Sequence, residues 1–340
     1  MPDPPPPTPP PPTPAAPPLP SRRETEAVLA PPWGPLGRSA TLATIAAACK
    51  VGLTGLASFT ISPPGGVGAA RLAAAVAGRP PGQGLLTVAN HTSTLDDPGV
   101  LSAALPLSLF ATDHLSGRAV RWSLCAREVC HSNPALSAFF RSGKTLAIER
   151  GGGVDQPSTR AAADALAEGG WVHVFPEGRV SPSGRLGRLR WGVGALACGC
   201  VASGGAPPLL LPLYHSGMAT VLPLGSVLPR PLGKDLHLSV GEPIPLADLT
   251  PGCTSPDPAV RARTWAAITA RAEAGLKALE AVSPPNPDQR RPEERAADAA
   301  KAADAGGGGG SAAGTTASAL PTPGPPPGEP RPTPPWRRRG

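Results

Sequence analysis

Six short apolar runs constrain this chain more than any other feature: Leu85–Ala89, Ser108–Thr112, Thr145–Glu149, Trp171–Phe175, Leu209–Tyr214 and Leu236–Val240. Each has the length and composition of a buried strand. Between them lie stretches that read as helices. Pro98–Leu105 opens with Asp97 as N-cap and Pro98 in the first turn, and Ser158–Ala167 closes at Gly169-Gly170. Trp191–Ala202 and Asp257–Ala281 follow the same pattern. Alternation of this kind predicts an α/β fold, a mixed or largely parallel central sheet flanked by helices. In such sheets ligands gather at the carboxyl ends of the strands. Four of the runs end in reactive residues: Asn90-His91, Glu149-Arg150, Glu177-Gly178-Arg179 and Tyr214-His215. One site built from several strand ends accounts for them together.

Composition sets the limits of that domain. Of 340 residues 50 are proline and 41 glycine, and thirteen of the first 20 are proline. From Ser283 the chain turns to S-P-P-N-P-D-Q-R-R-P, a glycine run and further prolines. Neither end buries enough apolar surface to offset the entropy of ordering. Residues 1–34 and 283–340 are therefore expected to be disordered, leaving residues 35–282 as one domain. The net charge of +7 suits an anionic partner of several kinds. With five Phe and one Tyr, and no basic stretch interleaved with aromatics, nucleic acid is excluded as the expected partner. The six cysteines (49, 125, 130, 198, 200, 253) lack metal-ligand spacing, so no metal site is expected and the thiols read as reduced or buried.

The N-terminus shows neither a signal-peptide pattern nor the Arg-rich amphipathic helix of a transit peptide. Residues 39–62 are long enough to span a bilayer, but Lys50 sits at their centre among weakly hydrophobic Ala, Gly and Thr. An interfacial segment, with Lys50 reaching toward lipid phosphates, is the expectation; the plainer alternative is a core helix.

His91 and Asp96 fall in the turn between a strand and a helix. Five residues apart they would diverge on a helix, but across a turn they can meet. A carboxylate on one imidazole nitrogen fixes the tautomer and leaves the other as a general base. In W-V-H-V-F-P-E-G-R-V, Gly178 allows close backbone approach, Arg179 and Arg150 can hold a phosphate, and Glu177 can orient an arginine or accept from a substrate hydroxyl. Arg185, Arg188 and Arg190 read as a basic rim. The chain lacks G-x-S-x-G, G-x-x-x-x-G-K-[ST] and a strand-to-helix G-x-G-x-x-G. With no protein nucleophile in view, a histidine base would activate a substrate hydroxyl for direct acyl transfer.

These residues resemble the glycerolipid acyltransferase superfamily. N-H-T-S-T-L-D matches its N-H-x-x-x-x-D motif, F-P-E-G its third motif, and L-L-L-P-L-Y-H its fourth, proline-containing strand. N-H-T-S-T-L-D-D-P, A-F-F-R-S-G-K, G-G-W-V-H-V-F-P-E-G-R-V and L-P-L-Y-H-S-G-M-A-T-V-L-P are most similar to its phospholipid–lysophospholipid transacylase branch. The resemblance covers roughly residues 35 to 280. It implies His91 as general base with Asp96 as its partner, Glu177 and Gly178 in the glycerophosphate-binding motif, and Arg150 as a phosphate-binding arginine. It implies phospholipid and lysophospholipid substrates, a membrane-surface segment, mitochondrial membranes and cardiolipin remodelling, without metal or soluble cofactor. Two alternatives stand beside it. One is an acyltransferase using acyl-CoA with the same dyad. The other is an interaction protein offering its polyproline N-terminus to SH3- or WW-type domains.

Overall fold

The computed structural model describes residues 22–289. The expected disorder of residues 1–21 and 290–340 lies outside them. Seven strands form one mixed sheet: β1 (Ser58–Ser62), β2 (Leu85–Ala89), β3 (Trp122–Ala126), β4 (Thr145–Ile148), β5 (Trp171–Val174), β6 (Leu209–Ser216) and β7 (Asp235–Val240). Their order is β1-β7-β6-β2-β5-β3-β4. All neighbours run parallel except β6 and β7, which are antiparallel. β2 is thus central, fully buried on both faces, and reads as a continuous apolar run for that reason.

Side chains alternating along β2 serve two cores. Leu85 and Ala89 pack with Leu42, Leu72 and Leu101 from the helices Gly34–Lys50, Val67–Ala77 and Asp96–Ala104. Leu86 and Val88 face Leu166, Leu196 and Leu276 from the helices Pro157–Ala167, Gly192–Ala202 and Pro258–Val282. The sheet is therefore covered on both sides, as the sequence predicts.

Several local expectations change. Ser108–Thr112 is not a strand: Leu107–Ala111 forms a short helix that buries Phe110. Short apolar runs do not distinguish the two states by pattern alone. β1 and β3 take strand positions from S-F-T-I-S and W-S-L-C-A, which lack a continuous apolar signal. β1 also divides the stretch 39–62, which is a helix to Lys50, a single π-turn over Val51–Gly55, and then a sheet strand. Lys50 does not reach outward. Its Nζ donates to the carbonyls of Ala103 and Leu105, both at 2.9 Å, where the Asp96–Ala104 helix leaves acceptors unpaired. No helix among the described residues is long and apolar enough to cross a membrane.

The ends of the domain also shift. Arg22–Leu29 is helical, with Thr25 Oγ1 donating to Asp164 Oδ2 at 2.9 Å. Beyond the last helix the chain stays packed: Asp288 is 2% exposed. Four cysteines pair, Cys125 with Cys130 and Cys198 with Cys253, at Cα separations of 6.1 and 4.7 Å. Cys49 and Cys200 keep free thiols.

Candidate active site

β2 ends at Ala89, and the next residue fastens the strand end. Asn90 Nδ2 donates to the His215 carbonyl at 2.8 Å, and Asn90 Oδ1 accepts from the His215 amide at 2.9 Å. The chain then turns, and Asp96 collects the turn around one oxygen. Its Oδ2 accepts from Thr92 N at 2.6 Å and Ser93 N at 2.9 Å, and lies 2.9 Å from His91 Nδ1. The two backbone bonds hold the carboxylate still, and the carboxylate fixes the imidazole with Nδ1–H toward it. Asp96 has no exposed side-chain surface, whereas His91 keeps 18%. Nε2 is the nitrogen left for a substrate proton. The dyad expected from the sequence is therefore assembled geometrically.

Phe175 stacks on the His91 ring, with centroids 4.0 Å apart and planes 8° from parallel. His173 meets Phe175 edge-on at 4.8 Å and shares a hydrogen bond with Thr87 Oγ1 at 2.8 Å. Burial drives the His173 pKa down to about 4, so this ring is neutral at ordinary pH. Beneath the turn Asp97 does not cap the helix as expected. It forms a buried ion pair with Arg121 at 2.6 Å. Burial alone would raise the Asp97 pKa, but the Arg121 charge and hydrogen bond outweigh it and hold the carboxyl low.

Glu177 takes a part that its sequence context does not signal. Its Oε1 accepts from the His91 amide at 3.1 Å and its Oε2 from Gly187 N at 2.9 Å. The side chain is thus a staple between the His91 turn and the 181–190 loop, its two oxygens bound by backbone amides and not by an arginine. Desolvation raises its pKa, while those amides oppose the rise. Gly178 sits at φ 69°, and a Cβ there would come 2.9 Å from Arg190 Cδ and Nε. A side chain at 178 would therefore displace the arginine that donates to the Glu177 carbonyl at 3.2 Å.

The two expected phosphate arginines part company. Arg179 is exposed beside Glu177 and makes no ion pair among the described residues. Arg150 lies after β4, at the sheet edge, with β3 between it and β5. It pairs with Glu128 at 3.1 Å instead of joining Arg179.

His215 and Asp288 complete the surroundings of the turn. His215 Nε2 lies 2.8 Å from the Asn90 carbonyl and 3.5 Å from Asp96 Oδ2. Asp288 Oδ2 accepts from Thr92 Oγ1 at 3.0 Å and Gly217 N at 2.9 Å, and Oδ1 accepts from Ala219 N at 3.1 Å. His215 closes the β6 run, which the sequence marked as a reactive strand end. Asp288 carried no signal, since it lies in a proline-rich stretch read as disordered. A cavity of about 350 Å³ opens among Arg185, Tyr214, Glu280, Asn286 and Gln289, and neither member of the dyad lines it. Among the described residues no His, Cys, Asp and Glu cluster could hold a metal.

Known proteins are similar to parts of this chain. An acyltransferase family model matches residues 75–216, the span holding His91, Asp96 and Glu177. The tafazzin of Drosophila melanogaster is 38% identical over 178 residues, covering 52% of this chain and 45% of the relative. Residues 75–216 are thus similar to an acyltransferase domain, and the chain is similar to tafazzins over about half its length. The tafazzin of Dictyostelium discoideum is 38% identical over 161 residues, 47% of this chain and 54% of the relative. An N-acylphosphatidylethanolamine synthase of Arabidopsis thaliana is 39% identical over 176 residues, 50% of this chain and 58% of the relative. Each match with these relatives spans about half the relative's length. The His91–Asp96 pair and the Glu177 staple follow adjacent strand ends, those of β2 and β5.

Proposed function

We propose that this chain, similar to tafazzins over about half its length, is a phospholipid–lysophospholipid transacylase using His91 as base and Asp96 as its orienting partner. The observation that carries the reading is the 2.9 Å contact between a fully buried carboxylate and Nδ1 of a partly exposed histidine at the end of the central strand. His91 Nε2 takes the proton from a lysophospholipid hydroxyl, and the hydroxyl oxygen attacks the ester carbonyl of a donor phospholipid. The tetrahedral intermediate collapses with cleavage of the donor's acyl C–O bond. His91 returns its proton to the departing oxygen, which leaves as the hydroxyl of a new lysophospholipid. The imidazolium formed midway sits against Asp96 and the face of Phe175, and both favour its charge. Arg179 and the Gly178 backbone supply the phosphate contact, with Arg150 as a more distant cation. Mitochondrial membranes and the remodelling of cardiolipin are the setting that the tafazzin relatives suggest.

Transfer of a radiolabelled acyl chain from phosphatidylcholine to lysocardiolipin, with purified protein and no CoA, tests this. Transfer without CoA is expected, and His91→Ala should abolish it while vesicle binding persists. Strict dependence on acyl-CoA would overturn the transacylase reading in favour of a CoA-dependent acyltransferase. The identity of 39% with an N-acylphosphatidylethanolamine synthase supports a second reading, in which the same base serves an amine acceptor. Phosphatidylethanolamine as the sole acceptor separates the two, because an amide product resists alkaline methanolysis and an ester does not.

A further inference from the structure

Exposed apolar side chains crowd into one loop of this protein. Between β6 and β7, Leu224, Val227, Leu228 and Leu232 are 59%, 88%, 73% and 78% exposed. A second group lies beside them on the turn after the Gly34–Lys50 helix, where Val51 and Leu56 are 65% and 50% exposed. Backbone contacts join the two. Gly233 N donates to the Leu56 carbonyl at 3.2 Å, and Ser58 N to the Lys234 carbonyl at 2.8 Å. Pro231 Cγ stands 3.9 Å from where a Cβ on Gly52 would be. The result is a single apolar face built from two segments.

We infer that this face seats the protein on an anionic lipid surface. Shape and charge point to lipid over a protein partner. At 73–88% exposure, Val227, Leu228 and Leu232 protrude, as side chains that insert must, instead of lining a groove. The segment L-P-L-G-S-V-L-P-R-P-L-G-K, residues 222–234, carries Arg230 and Lys234 and no acidic residue. Basic side chains flanking aliphatic tips match anionic headgroups above acyl chains. The segment also contains no aromatic residue or methionine, the types enriched where proteins bind proteins. Pro223, Pro229 and Pro231 stiffen it, so little order is lost on insertion.

The position suits the proposed reaction, on which the choice of a lipid occupant rests. The loop is rooted at Leu222, whose carbonyl accepts from Ser93 Oγ at 2.8 Å. Ser93 is one of the two amides bound to Asp96 Oδ2. Seating the loop in headgroups would hold the His91 turn, which the loop's root contacts through Ser93, close to the lipid surface.

Flotation of the full chain with phosphatidylcholine vesicles, with and without phosphatidylglycerol, tests the inference independently of acyl transfer. The variant Val227→Asp/Leu228→Asp is expected to lose vesicle partitioning by at least about tenfold, since two protruding apolar contacts become charged. Its thermal midpoint should be unchanged, because both positions are exposed. Should the midpoint fall, Val227→Asn/Leu228→Asn replaces it. Arg230→Ala/Lys234→Ala should weaken binding to the anionic vesicles at low salt and leave neutral vesicles unaffected. Val282→Asp, at a site 79% exposed on the last helix, is the control and should bind like wild type. Undiminished partitioning of the first variant, or equal loss in the control, would overturn the inference. So would undiminished partitioning together with dissociation of an oligomer, which would make the face a protein interface. Loss of partitioning in a protein that shows no CoA-free transfer would leave the surface standing and the functional reading refuted.

Discussion

Asp288→Asn should weaken both the stability and the catalytic rate of this protein, although residue 288 is nearly two hundred positions from His91 in the chain. The magnitude follows from counting donors. The Asp288 carboxylate accepts from Thr92 Oγ1, Gly217 N and Ala219 N at 2.9–3.1 Å, and is 2% exposed. Asparagine offers only one acceptor oxygen. If that oxygen faces Thr92 and Gly217, the new amide N–H points at the Ala219 N–H, and one donor is orphaned. An orphaned buried donor costs about 1–3 kcal/mol, a sizeable part of a total stability of about 5–15 kcal/mol. Thr92 adjoins His91 and binds Asp96 through its amide, so loss of its anchor loosens the dyad. A kcat reduction of about tenfold, equivalent to about 1.4 kcal/mol of barrier, is expected with KM little changed. Urea unfolding gives the first quantity, with an unaltered m-value showing that the native state is otherwise preserved. Turnover measured well below the variant's unfolding midpoint gives the second. Wild-type values for both midpoint and kcat would refute the view that this segment holds the catalytic turn.

Three further outcomes are expected. His173 has a pKa near 4 when folded against 6.5 for the free side chain, so between those values the unfolded state binds a proton that the native state refuses. Stability should therefore fall as pH drops from 6.5 to 4, by up to about 3 kcal/mol, and urea titrations of His173→Gln should lack that component. Arg121→Met strands the buried Asp97 carboxylate and should cost about 3–5 kcal/mol in the same assay, part of it recovered when Asp97→Asn is added. Phe175→Leu removes the ring stacked on His91 and should lower kcat by a factor of about 2–12, the equivalent of about 0.5–1.5 kcal/mol, with a smaller effect on folding.

What could be read from the sequence was whatever is encoded locally. β2 declared itself because both its faces are buried, and the polar residues at its end stood out against an apolar strand. His91 and Asp96 are five residues apart, so a turn suffices to join them. Glu177 was legible as a site residue but not as a staple, since its partners are backbone amides at positions 91 and 187. Arg150 lacks the neighbour its sequence context suggests, because strand order is set by the whole sheet and not by the segment that carries the residue. Lys50 is out of place in an apolar stretch when read locally, because the carbonyls of Ala103 and Leu105 that surround its ammonium group belong to a distant segment. Asp288 was invisible for the same reason: proline-rich surroundings describe the cost of ordering a segment, while its reward lies in Thr92, Gly217 and Ala219, far away along the chain.

Asn90 has a consequence of its own. Its side-chain amide exchanges two hydrogen bonds with the backbone of His215, one given and one received, as a peptide group would. The β2–β6 ladder is thereby carried one step further by a surrogate peptide, while the real main chain departs to form the turn that holds His91 and Asp96. The sheet continues and the backbone is released at the same point. Aspartate lacks the donor, serine the reach, and glutamine adds a methylene that misplaces both groups. A saturation library at position 90 should therefore return asparagine alone, a narrower tolerance than the buried leucines beside it, where volume is the main demand.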